Sequence, residues 1–448
     1  MNKKLLLAGL ASILSLATAC KKDDPSPKPT PTPTPQPGFT IEAKTTDLLQ
    51  FDTVRLSAQG AKADAKLSWV INGKEVSEGK DYAFTQPRVG RYQVSLVDKT
   101  SGEKVSKDFS VTARFTSGAF LLNEGNFGNE TGTLTYIDAS KKFVLDSAYI
   151  RVNGTKLGNV CQDMTFANGK VYILSQNGPK NGGEGLLTIA DAKTLEKIKA
   201  YNDKALEQTS PTHIAVVRDH IYIRSERDGI LRGSSEGGFT PIAKTKRALK
   251  QRMAQIGERI FALTKDNKIL MIQGTQVVGE LDVSPAQLTG ISISHDGKLW
   301  VATTSPNEIL KVNPEPNNFV VLMRHALSQS ISATGSQSWE RTTSSAFFAH
   351  GEKIYFSGHS SVIHCHDFAT NNTKKITDVK TIDGVGTSAN MYYNSLGIDP
   401  KTGHIYYASF GDYSTYKKNI TLVLNPDGSL LFKREKVNAF PAGFYFIP

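Results

Sequence analysis

Cysteine is scarce: three in 448 residues, too few for a disulfide-stapled scaffold. Charged residues make up only 21% of the chain, which excludes an intrinsically disordered protein and a helical coiled coil. The apolar run Leu5 to Leu16 is too short to span a bilayer. No calcium loop of the Asp-x-Asp-x-Asp-Gly type occurs, and no nucleic-acid motif accompanies the basic residues. What is plentiful is 37 glycines, 19 prolines, 15 tyrosines and 21 phenylalanines, the composition of many turns and many strands. Hydrophobic residues at 39% suffice for a buried core. The length fits two or three ordinary domains, or one small domain beside one large all-β unit. A formal charge of +11 fits a generic basic surface or an anionic partner.

The first residues read as an address. Met1 to Lys4 is a positive n-region, and the apolar stretch ends in Leu16-Ala17-Thr18-Ala19-Cys20. Small residues before a cysteine resemble a bacterial lipobox, so residues 1–19 are expected to be a signal peptide and Cys20 the lipidated first residue. Lys21-Lys22-Asp23-Asp24 resembles the acidic export signal of Bacteroidota lipoproteins that face the cell exterior from the outer membrane. A solvated charge cluster on a periplasmic lipoprotein is the alternative. Pro25 to Gly38 reads PSPKPTPTPTPQPG, which favours polyproline II. Residues 20–38 thus form an expected stalk of about 40 Å.

Residues 39–114 carry short alternating strands, among them Thr53 to Ser57, Leu67 to Ile71 and Tyr92 to Val97, with Asn72-Gly73 as a hairpin turn. Trp69-x-x-Asn72-Gly73, Tyr82-x-Phe84 and Gly90-x-Tyr92-x-Val94 resemble the polycystic-kidney-disease-type (PKD-like) immunoglobulin-like domain. The resemblance implies a β-sandwich with Trp69 in its core, acting as a spacer, with weak adhesion as the other role.

Residues 115–448 contain a repeat. A basic residue or His, an aliphatic and an aromatic recur at Lys170-Val171-Tyr172, His220-Ile221-Tyr222, Arg259-Ile260-Phe261, Lys298-Leu299-Trp300, Lys353-Ile354-Tyr355 and His404-Ile405-Tyr406. The aromatics are 50, 39, 39, 55 and 51 residues apart. Tight turns such as Asn168-Gly169 and His295-Asp296-Gly297 precede them. A four-stranded unit at this spacing is a propeller blade. Gly118 to Asn123 lacks a first strand and Ala442 to Ile447 is a lone strand, so joining them completes a seventh blade. The expected fold is all-β: a seven-bladed β-propeller with an N-terminal immunoglobulin-like (PKD-like) β-sandwich.

Leu121-Leu122-Asn123-Glu124-Gly125-Asn126-Phe127-Gly128 and Phe440-Pro441-Ala442-Gly443 resemble a YncE-like propeller family of Bacteroidota surface lipoproteins, with BtuG-type corrinoid-capture relatives. The resemblance implies capture of a small-molecule nutrient, a corrinoid (vitamin B12-like) or other tetrapyrrole, for an outer-membrane TonB-dependent transporter. Catalytic signals among the residues fail, so no enzyme activity and no cofactor are expected.

In such a ring the second-to-third strand loops and the blade-to-blade loops share one face. That face offers Asn123, Glu124, Asn126, Phe127, Gln176, Asn177, Arg224, Gln337, Trp339, Arg341, His359, Tyr392, Tyr393, Asp412 and Tyr413 as candidate ligand contacts. Aromatics and amides together suit a large ligand with apolar and amide surfaces. Lys244, Lys246, Arg247, Lys250 and Arg252 crowd one connection and read first as a solvated charge run, second as an anion-attracting patch. Gly233 to Gly237 matches Gly-x-Ser-x-Gly without the strand-to-helix context of a nucleophile elbow, so it reads as a turn. His364-Cys365-His366 supplies two imidazoles on one side of a strand, short of a metal site. Cys161 and Cys365 are expected as core thiols. A glycan-binding adhesin and a propeller lyase or glycosidase remain the rival readings.

Overall fold

The structure, a computed structural model, describes residues 38–331, 346–357, 360–386, 391–410, 416–417, 419–435 and 440–448, with side chains omitted at 391–395 and 410. The expected leader, Cys20 and all of the expected stalk but Gly38 lie outside these residues.

Residues 40–112 form two sheets. One holds Thr40–Ala43, Thr53–Gln59 and Asp81–Thr85; the other orders Asp47–Leu49, Lys104–Thr112, Gly90–Asp98, Leu67–Ile71 and Lys74–Glu78. Trp69, Leu56, Phe84, Val94 and Leu96 fill the space between them, each fully buried. The Trp69 indole N–H donates to the Gly79 carbonyl at 3.0 Å, which satisfies its one polar atom. Asn72 and Gly73 both take positive φ, 47° and 84°, as a type I′ hairpin turn requires.

The remaining described strands form antiparallel sheets in chain order. Five are four-stranded, beginning at Cys161–Ala167, Pro211–Val217, Ala254–Ile256, Gln287–Ile293 and Ala346–His350. A further eight-stranded sheet is two four-stranded halves joined by one parallel bridge, Asn394 to Gly443. Its first half pairs the terminal strand Pro441–Phe446 with Ala119–Asn123, placing Tyr445 opposite Phe120. The first strand of each unit packs beside the first strand of the next, and Pro441–Phe446 packs against both Met391–Ile398 and Cys161–Ala167.

Each repeated aromatic lies in the second strand of its unit and is buried. Three residues after most of them stands a small polar residue, also buried: Ser175, Ser225, Thr264, Thr303 and Ser409, with Asn123 in the same place after Phe120. Its side chain holds the following loop; the Ser175 hydroxyl donates to Gly185 O at 2.8 Å and the Thr303 hydroxyl to Pro306 O at 2.8 Å. The repeat therefore encodes both a core ring and the latch of the next turn. Cys161 and Cys365 are buried free thiols in separate apolar clusters.

The sandwich is fastened to the end of the ring formed by the third-to-fourth strand turns. Buried Gln50 donates to Pro87 O at 2.7 Å and to Thr194 O at 3.0 Å. Arg88 donates to Val152 O at 3.2 Å, and the Arg114 guanidinium lies 3.9 Å from the Phe143 ring centroid.

One buried pair makes stability depend on pH. His366 contacts His325 through Nε2 at 3.0 Å and the Thr373 hydroxyl through Nδ1 at 2.8 Å, so both its ring nitrogens are engaged within the fold. Burial first, then the neighbouring His325, lowers the His366 pKa to about 4, against a weak upward pull from Asp367. A histidine unfolded titrates near 6.5. The folded state thus resists protonation, and its full stability holds above about pH 6.5 and declines as pH falls towards 4. Urea midpoints measured across that window should fall more for the wild type than for His366→Asn, which has no imidazole to protonate. Parallel curves would remove this assignment.

Candidate functional site

Alternating strands put the second-to-third strand loops and the unit-to-unit connections at one end, opposite the sandwich. A network of amides builds loop 124–132. Gly125 has φ 76°, and a Cβ there would stand 2.2 Å from the Thr131 carbonyl, so only glycine closes the turn. Asn159 donates to Asn126 O at 3.1 Å and Glu130 O at 2.5 Å, and Asn177 donates to Asn159 at 2.8 Å. Asn181 donates to Phe127 O at 3.2 Å, and the Asn126 side chain accepts from Gly128 N at 2.8 Å.

The outcome is a displayed aromatic. Phe127 is 63% exposed, with the Lys180 ammonium 3.1 Å from its ring centroid. A large apolar side chain held outward by a satisfied polar network is informative where an isolated exposed Leu is not. Beside it opens a cavity of about 300 Å³ lined by Phe127, Gln176, Asn177, Pro179, Lys180 and Glu207. A second cavity, of about 390 Å³, lies on the other side of the loop, floored by Leu134, Tyr149, Ile150 and Leu157, with the Glu130–Lys417 ion pair at its rim.

Of the residues expected from sequence, Phe127, Gln176 and Asn177 meet in one cavity, and Asn126 shapes the loop that carries them. Asn123 and Glu124 are buried beneath: Asn123 donates to the Thr133 hydroxyl at 3.3 Å, and Glu124 accepts from Gln162 at 2.6 Å. Arg224 is 1% exposed and belongs to the interior; it donates to Ala248 O at 3.0 and 3.2 Å and to Glu226 at 2.7 Å. Tyr392 and Tyr393 fall in the inner strand Met391–Ile398, their side chains not described. Gln337, Trp339, Arg341, His359, Asp412 and Tyr413 lie outside the described residues. The basic cluster divides: Lys244, Lys246 and Arg247 are exposed, whereas Lys250 and Arg252 turn inward.

Those two inward cations join a polar array that sequence reading missed. Asp163 is buried and accepts from the Tyr445 hydroxyl at 2.6 Å and the Ile214 amide at 3.0 Å, with Arg252 Nε at 3.3 Å. Burial pushes its carboxyl up, against the downward pull of Arg252 and those hydrogen bonds. Burial, then the charges of Arg224, Lys250 and Arg252, holds the His213 imidazole well below the usual histidine range.

A backbone device aims these side chains. Val160, Ser210 and Phe440 each take positive φ (56°, 52° and 52°) directly before an inner strand. Each of their carbonyls accepts from the residue just after the second strand: Gln176 N at 2.8 Å, Glu226 N at 3.1 Å and Glu124 N at 2.9 Å. Non-glycine residues in this region are uncommon, and Val there is an outlier that cluster at functional sites. One step later the register shifts, between Cys161 and Asp163, Pro211 and His213, and Pro441 and Gly443. A bulge re-aims the residues beside it. The sequence signal that marks the device is an aromatic followed at three and four residues by Asn/Ser and Glu/Gln: Phe120…Asn123-Glu124, Tyr172…Ser175-Gln176, Tyr222…Ser225-Glu226.

Four-stranded antiparallel sheets whose first strands pack side by side define a β-propeller-like protein. The chain belongs to the DUF5074 family, a domain of unknown function, matched over residues 117–447. Among solved structures, a quinonprotein alcohol dehydrogenase-like protein from Bacteroides thetaiotaomicron is similar at TM-score 0.61 and 15% identity, over 92% of this chain and 99% of the other. A protein from Lactobacillus plantarum is similar at TM-score 0.50 and 11% identity, over 74% of this chain and all of the other (100%). Such identities show the fold alone. No curated protein matches the chain.

Proposed function

We propose that this chain is a lipid-anchored outer-membrane protein facing the cell exterior, in which a seven-bladed β-propeller on a PKD-like sandwich and stalk captures a nutrient and passes it to a TonB-dependent transporter. The observation that carries the reading is Phe127, held 63% exposed by an asparagine network at the mouth of a cavity of about 300 Å³. The lipobox-like Leu16 to Cys20 and the proline-rich stalk support the placement. The most specific ligand is a corrinoid or other tetrapyrrole, as the YncE-like resemblance implies. A corrin with its amide arms is larger than the cavity, so the cavity would seat one edge, with Phe127 against the apolar surface and Gln176 and Asn177 facing the amides. No catalytic role is assigned.

Calorimetric titration with cyanocobalamin tests this. Phe127→Ala should weaken binding by roughly 10- to 30-fold, the loss of an aromatic anchor, and leave the melting temperature unchanged because the ring packs little against the core. No binding at micromolar ligand removes the corrinoid version. An exposed aromatic flanked by amides also suits a sugar ring, so glycan-array binding that vanishes in Phe127→Ala would replace capture with an adhesin role.

A further inference from the structure

The cavity of about 390 Å³ behind loop 124–132 is lined by described residues throughout, and none of them lines the Phe127 cavity. Asn129, Lys156 and Lys417 in its lining are exposed, so a solute reaches it from solvent. Thr131, Thr133, Ser147 and Ile150 are half-buried and give it an accessible wall, and Leu134 and Leu157 close it from beneath. Its volume lies within the range of small-molecule pockets, about 300–1,000 Å³.

On the Phe127 side of the loop the amides are spent on one another; on this side polar groups are left uncommitted. Ser147 is the N-cap of the short helix Ala148–Asn153. An N-cap serine ordinarily has extended backbone and accepts from an amide of the first turn. Ser147 instead takes φ 53° and ψ 38°, and its hydroxyl makes no capping bond. Left-handed backbone at a non-glycine residue costs energy and clusters at ligand sites. The Thr131 hydroxyl and the Lys156 ammonium also have no hydrogen bond or ion pair among the described residues. The other charges of the lining are matched: Lys417 pairs with Glu130 at 2.7 Å. Lys156 thus contributes a single unpaired positive charge beside an apolar floor.

We propose that this cavity binds a small organic carboxylate with an apolar body. The body rests on Ile150 and the leucine floor, which removes apolar surface from water. The carboxylate takes Lys156 as its counter-charge, a charge-assisted contact, and the Thr131 and Ser147 hydroxyls are free to donate to it. One unpaired cation matches one carboxylate; a phosphate monoester, with a charge of about −1.5 to −2, would stay unbalanced. The site stands whether or not the Phe127 cavity binds a nutrient, since the two share no lining residue.

Octanoate is the probe, with 1-octanol as the body without the charge and acetate as the charge without the body, all on the full chain. In calorimetric titration octanoate should bind about 5-fold more tightly than octanol or better, and acetate more weakly than either. Octanoate should also move the Ile150 methyl resonances of the wild type in NMR. Lys156→Gln, at an exposed position, should weaken octanoate by about 3- to 10-fold and leave octanol unchanged. Ile150→Trp and Thr131→Phe fill the cavity and should each abolish octanoate binding; should Ile150→Trp fail to fold, Thr131→Phe, in a surface loop, gives the same reading. Phe127→Ala should bind octanoate as the wild type does, and a loss there would put the probe in the other cavity and overturn the proposal. Octanol or acetate binding as tightly as octanoate, an unchanged octanoate affinity in Lys156→Gln, full binding in a folded filled variant, or Ile150 methyls that octanoate does not move overturns it equally.

Discussion

A chain that stops before Pro441 does not form a cooperatively folded propeller part. The strand it lacks, Pro441–Phe446, pairs with Ala119–Asn123 and bridges to Met391–Ile398, so its removal opens two sheet edges at once. It also removes Ala442, Phe444, Tyr445 and Ile447, all under 10% exposed. Each buried aromatic is worth about 3–5 kcal/mol when deleted, and the isoleucine about 2–5. Together these roughly match the whole net stability of a domain, about 5–15 kcal/mol. Calorimetry of the truncated protein should show loss of the main transition, with at most a small one from residues 40–112. A truncated chain that melts at the wild-type temperature would mean that the terminal strand is ornamental and that the ring does not depend on it.

The all-β architecture was legible in the sequence because it repeats. An aromatic in every second strand and a tight turn before it are local signals, and local signals survive in a single sequence. Phe127, Gln176 and Asn177 were legible for a related reason: they sit in long loops between strong strands, where polar and aromatic residues have no core role to explain them. Arg224 was misplaced by the same logic. A charged residue two positions after Tyr222 reads as a surface contact, but the Ala248 carbonyl and Glu226 satisfy the guanidinium and allow its burial. The Asp163–Arg252–Tyr445 array was illegible. Its members come from three units and meet only when the inner strands stand side by side, and each lies beside apolar neighbours that hide it. The bulge that aims Asp163 leaves no mark at Val160 itself; its sequence signal lies in the partner strand, at Tyr172…Ser175-Gln176, far from the residue it aims.

Asp163→Ala should be among the most destabilising single substitutions in the protein. The carboxylate accepts from the Tyr445 hydroxyl and the Ile214 amide and stands 3.3 Å from Arg252 Nε as its counter-charge. Alanine leaves a hydroxyl and an amide buried without partners and removes the nearest counter-charge of Arg252. Breaking a buried ion pair from one side costs about 3–5 kcal/mol, because the surviving charge stays desolvated. Asp163→Asn keeps one oxygen, for the hydroxyl or the amide but not both, and loses the charge, so its cost should be smaller than that of alanine without vanishing. The urea midpoint should fall in that order with the slope unchanged, the sign of lost stability without a change in compactness. Asp163→Ala combined with Arg252→Met should recover part of the loss, since the stranded charge is gone, and the coupling in the cycle should exceed about 1 kcal/mol. Strict additivity would show that the two side chains do not share their energy, and that Arg252 is held in place by the aromatic rings alone.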